Sequence, residues 1–72
     1  MAKKYQAKYR KLTAKLRYSR LEAGLTQVQA GKLLKKPQAY ISKIERRERG
    51  VDAVELDELA AVYNKDINYF IK

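Results

Sequence analysis

The chain has 72 residues with no cysteine and no histidine, and its 17 Lys/Arg outnumber 8 Asp/Glu for a net charge of +9. That length supplies one small domain with one modest core. Without cysteine there is no disulfide framework and no thiolate zinc site. Without histidine the commonest general base and metal ligand are missing, so neither an enzyme nor a cofactor is expected.

No apolar run approaches the roughly 18 residues of a membrane span. The basic start, MAKKYQAKYRK, has no apolar segment behind it and does not read as a secretory signal. A cytoplasmic protein is the default expectation. The charge is segregated: residues 1–50 carry fifteen Lys/Arg against three Glu, a balance of +12, whereas residues 51–72 carry two Lys against five acids, a balance of −3. This suits a molecule with one face on phosphates and another toward protein or water.

In chain order the sequence reads as helical nearly throughout. Tyr5, Tyr9, Leu12 and Leu16 form an apolar stripe on a first helix over about 5–23, which Gly24 ends. Thr26 is an N-cap for a second helix reaching Leu34, with Gln29 as its capping-box partner. After Lys35-Lys36 comes a third helix from Pro37 to about Arg47, Pro37 suiting its first turn. Glu48 to Asp52 is a loop. Asp52 caps a fourth helix with apolar face Leu56, Leu59, Ala60 and Tyr63, closed by Asn64. Asp66 to Ile71 forms a short fifth, offering Ile67, Phe70 and Ile71 to the core. No segment alternates as a strand should. The fold class is all-α with five helices, arranged as a basic extension of the first helix (1–11) and a domain (12–72).

The second and third helices, joined by so short a turn, make a helix-turn-helix, a unit that presents its second helix to a DNA groove. At about 100° per residue, Ile41, Ile44 and Glu45 share the inward side of that helix. Ala39, Ser42, Lys43 and Arg46 share the outward side, which holds no acid. Gln38 stands at its N-terminal tip, where its amide can pair with adenine, and Lys43 can reach guanine acceptors. Tyr40 lies at the edge of this face, placed for a sugar-phosphate or thymine-methyl contact. Of the remaining tyrosines, Tyr5, Tyr9, Tyr63 and Tyr69 are read as core or subunit-contact residues.

With these residues in view, the chain resembles the phage-repressor-like (Xre/Cro) helix-turn-helix family. The likeness runs through Leu16-Arg17-x-x-Arg20, Gly24-Leu25-Thr26-Gln27, Pro37-Gln38-Ala39-Tyr40-Ile41-Ser42-Lys43-Ile44-Glu45-Arg46, Glu55-Leu56, Leu59-Ala60 and Asn68-Tyr69-Phe70-Ile71. It implies a five-helix, lambda-repressor-like domain that binds a pseudo-palindromic operator in double-stranded DNA as a homodimer. It also implies that Gln27 bonds a phosphate and braces Gln38, that Gln38, Ala39 and Lys43 touch bases, and that Arg20 pairs with Glu45. A partly buried acid at Glu45 needs such a partner in any case. Three positions depart from the family pattern. Lys35 replaces a turn glycine of positive φ, at a cost of roughly 1–2 kcal/mol. Arg47 replaces a glycine after the recognition helix, so that helix is expected to run on toward Glu48. Ala30-Gly31 replaces Leu-Ala and is expected to thin the contact between the second and third helices.

The function expected is a sequence-specific transcriptional regulator, acting as a repressor. Lys36, Ser42, Arg46, Arg47, Arg49 and the basic N-terminus would meet phosphates along with Gln27 and Tyr40. The N-terminal stretch is either an arm along the DNA or a solubilising extension of the first helix. The alternative is an antitoxin-like or adaptor protein whose acidic C-terminal part, from Val51 on, binds a protein partner while DNA binding is autoregulatory.

Overall fold

Local chemistry sets where each helix starts and stops in the computed structural model, which describes residues 2–71 and the side chains from residue 7 on. The helices are α1 (Ala2–Glu22), α2 (Gln27–Leu34), α3 (Gln38–Glu45), α4 (Ala53–Val62) and α5 (Asn68–Ile71). No strand occurs among the described residues. The expectations for the Lys3, Lys4 and Tyr5 side chains lie outside the described part. The backbone from Ala2 is already helical and continuous with α1.

Two helices begin with reciprocal caps. The Thr26 hydroxyl accepts from the Gln29 N–H at 3.1 Å while the Gln29 side chain accepts from the Thr26 N–H at 2.9 Å. Asp52 and Glu55 repeat the arrangement at 2.8 and 3.1 Å. Each pair satisfies two backbone donors that the first turn leaves over. Pro37 precedes α3 as its N-cap in extended conformation, one position earlier than its expected place inside the first turn. In α5, the Asn68 N–H bonds Asp66 Oδ1 at 2.8 Å; Asp66 therefore stands before the helix.

Four helices end in the same way, on a residue of positive φ: Gly24 at 74°, Lys35 at 58°, Arg47 at 62° and Asn64 at 61°. After α3, the Arg47 N–H reaches the Ile44 carbonyl at 3.0 Å and the Glu48 N–H reaches the Lys43 carbonyl at 2.7 Å. That pair of bonds closes the helix at Glu45 and returns its free carbonyls to partners. The expected run toward Glu48 therefore does not occur. Glycine adopts this conformation freely and asparagine tolerates it. For Lys35 and Arg47 it stores strain of about 1–2 kcal/mol each.

The core gathers Leu16 from α1, Ala30 from α2, Tyr40, Ile41 and Ile44 from α3, Leu56, Leu59, Ala60 and Tyr63 from α4 and its end, and Phe70 from α5. α3 thereby shares its core with residues of every other helix, and its main packing partners are α2 and α1. Gly31 decides how closely α2 and α3 approach. A Cβ at Gly31 would lie 2.7 Å from the Lys36 carbonyl oxygen and 3.3 Å from that of Pro37. The missing side chain lets the turn rest directly on α2, so Ala30-Gly31 gives a closer approach than the sequence suggested.

Candidate nucleic-acid interface

Every residue expected on the inward side of α3 is turned inward: Ile41 and Ile44 are buried and the Glu45 side chain is 5 % exposed. With those positions fixed, helical geometry sends the others out. Gln38, Ala39, Lys43 and Arg46 are exposed and Ser42 is half-buried. The outward face thus offers an amide, a methyl, an amine and a guanidinium, with a hydroxyl between them.

A chain of side chains runs from the core to the tip of that face. Arg20 holds Glu45 in a two-pronged pair, Nε to Oε2 at 2.7 Å and Nη2 to Oε1 at 3.0 Å. Its third prong, Nη1, donates to the Leu25 carbonyl at 2.8 Å. The hydrogen bond to Glu45 raises the Arg20 pKa against the opposing effect of burial. Glu45 Oε1 also accepts from Gln27 Nε2 at 3.2 Å, and Gln27 Oε1 accepts from Gln38 Nε2 at 3.2 Å. One N–H of the Gln38 amide is used in this way. The other N–H and the amide oxygen remain, the donor and acceptor that adenine N7 and N6 require in the major groove.

The residues expected at phosphates frame this face, in differing states. Lys36 and Arg47 are exposed at its two ends, Arg47 in the strained turn after α3. Arg46 is paired with Glu48 at 3.2 Å and Arg49 with Glu55 at 3.2 Å. The Arg46–Glu48 pair is open to water, a setting where ion pairs are worth about 1 kcal/mol or less, so a phosphate can displace Glu48. Tyr40 departs from its expected place at the edge of the face. It is 9 % exposed and belongs to the core, because it lies one helical turn before Ile44. Burial raises its phenol pKa. Above the ring sit Lys36 Nζ at 5.4 Å and the Arg49 guanidinium at 4.8 Å from the centroid. Tyr40 therefore seats two cations instead of reaching outward itself.

The carboxylate partners of Arg46 and Arg49 were not anticipated, although Glu48 and Glu55 lie two and six residues away in sequence. Nor was the bond from Gln27 to Glu45, which joins positions eighteen residues apart. Among the described residues no helix is long and apolar enough to cross a membrane. No cluster of His, Cys, Asp or Glu there is suited to a metal ion.

A family model described as helix-turn-helix matches residues 16–70. Among solved structures, the chain is similar to an XRE-family like protein from Pseudomonas syringae pv. tomato str. DC3000, with 28% sequence identity and a TM-score of 0.90. The match covers 97% of this chain and 85% of that one. No curated protein matches it.

Proposed function

The chain belongs to the XRE-type helix-turn-helix family of DNA-binding regulators, and from this we propose that it binds double-stranded DNA sequence-specifically as a transcriptional repressor. The observation that carries the reading is the braced Gln38: an exposed amide at the tip of α3, tied through Gln27 to a carboxylate that a buried arginine holds. A side chain fixed in this way loses less freedom on meeting a base, which favours discrimination. Gln38, Ala39 and Lys43 read base edges in the major groove. Lys36, Ser42, Arg46, Arg47 and the outer edge of Gln27 meet phosphates, and Arg49 reinforces the field while held by Glu55.

The molecule acts in this reading as a homodimer on a two-fold operator. The support is apolar surface left open on α5, where Ile71 is 62 % and Tyr69 38 % exposed. Selection of bound duplexes from a random pool tests the proposal. Recovery of a two-fold sequence with half-sites about one helical turn apart is expected; recovery of no consensus at any salt concentration refutes it. On the recovered duplex, Gln38→Ala lowers specific affinity by about 1–3 kcal/mol while leaving binding to scrambled duplex nearly unchanged. Equal losses on both would remove Gln38 from base readout.

A further inference from the structure

The loop after α3 carries Arg46, Arg47 and Arg49, yet none of its side chains from 46 to 50 is buried. Core packing therefore does not set its course, and ordering each residue costs conformational entropy. One end is set by the left-handed turn at Arg47. The other end is met by α1: the phenolic oxygen of Tyr9 accepts the Val51 N–H at 2.8 Å. Gly50, just before it, is there for the same contact. A Cβ at Gly50 would lie 2.8 Å from the Tyr9 oxygen and 3.8 Å from Tyr9 Cζ, with nothing else near. Gly50 is not among the residues of positive φ, so close approach, not backbone freedom, is what the glycine supplies.

We propose that Tyr9 is a positioning residue, a latch by which the N-terminal part of α1 holds the Arg46–Gly50 loop in the pose that meets the DNA backbone. The proposal rests on the DNA-binding reading above and adds to it a residue outside the matched family segment, which begins at position 16. Val51 immediately precedes Asp52, the N-cap of α4. The latch thus pins the loop where it joins a rigid helix, seven residues past the last residue of α3 that is buried, Ile44. With both ends held, the two arginines nearest α3 stay beside the groove-facing side chains. Without the latch the far end of the loop keeps the packing of Val51 on the core and the Arg49–Glu55 pair, but loses its bond to α1.

The test uses the full chain and the duplex recovered by selection, with binding followed by fluorescence anisotropy over a salt series. Tyr9→Phe keeps the ring in place and removes only the acceptor oxygen. Affinity should fall about fivefold, the value of one hydrogen bond. The slope of log affinity against log salt should become shallower by about one, the loss of one phosphate contact. Hydrogen exchange at the Val51 amide should quicken. Gly50→Ala, which pushes the phenol away from the other side, should give the same loss in the wild-type background. In the Tyr9→Phe background it should add nothing, because the oxygen it collides with is gone. General destabilisation would not produce that masking. Unchanged affinity and slope in Tyr9→Phe, or losses from the two substitutions that simply add, would overturn the latch. Absence of any salt-dependent duplex binding by the wild-type chain would instead bring down the DNA reading itself, and the latch's role with it.

Discussion

Removing the Glu45 carboxylate is the sharpest perturbation the structure offers, because it separates stability from recognition. In Glu45→Ala the Arg20 guanidinium, 7 % exposed as a side chain, keeps one acceptor, the Leu25 carbonyl. Stripping a buried charge of its partner costs about 3–5 kcal/mol. A domain of 72 residues holds about 4–11 kcal/mol in total at typical per-residue stability. The variant should thus lose about a quarter or more of its stability, and its melting temperature should fall by about 12 °C or more. Replacing both partners with apolar residues, Arg20→Met with Glu45→Leu, should recover most of that stability, since no uncompensated charge remains. It should not recover specific DNA binding, because Gln27 loses the oxygen that orients it toward Gln38. Urea unfolding followed by circular dichroism measures the first quantity and duplex titration the second. A cost below about 1 kcal/mol for Glu45→Ala, the level of an exposed pair, would refute the burial argument. Full specific binding by the double variant would refute the brace.

Arg47→Gly should relieve the left-handed strain and stabilise the fold by about 1 kcal/mol, while weakening duplex binding and flattening its salt dependence by about one; a variant less stable than wild type would contradict the strain assignment. Gly31→Ala should destabilise by about 1–3 kcal/mol, because the added methyl meets backbone oxygens that cannot yield without moving the turn, and an unchanged unfolding midpoint would show that the turn gives way easily. The Tyr63 phenol is pushed above its usual value chiefly by burial. The fold therefore favours the neutral form, and the stability this brings is complete below about pH 10 and lost as pH rises toward the folded-state value. Alkaline unfolding should accordingly begin at higher pH in Tyr63→Phe than in the wild type, and an identical onset would count against that role.

Much of this architecture was legible because it rests on near-neighbour chemistry. Caps three residues apart at Thr26 and Asp52, the glycine and asparagine that end α1 and α4, and the inward trio Ile41, Ile44 and Glu45 all follow from helical geometry. What escaped depends on competition or distance. The length of α3 was misjudged because a basic residue at Arg47 gave no signal of positive φ; paired hydrogen bonds to Ile44 and Lys43 impose it. The role of Gly31 was inverted because composition suggests lost bulk where the fold uses the vacancy for backbone approach. Tyr40 looked like an edge residue, yet it lies one helical turn before Ile44 and is buried with it. The Tyr9 contact joins residues 42 positions apart, and no periodicity encodes that.

Sequence-specific binding in this protein requires the outward side of α3 to occupy the DNA groove. Amide and side-chain NMR shifts during titration with the selected duplex test this directly. The largest changes should fall on Gln27, Lys36, Gln38, Ala39, Lys43, Arg46 and Arg47, with α4 and α5 nearly silent. Changes concentrated on α4 or α5, with the Gln38 and Lys43 signals unmoved, would contradict it.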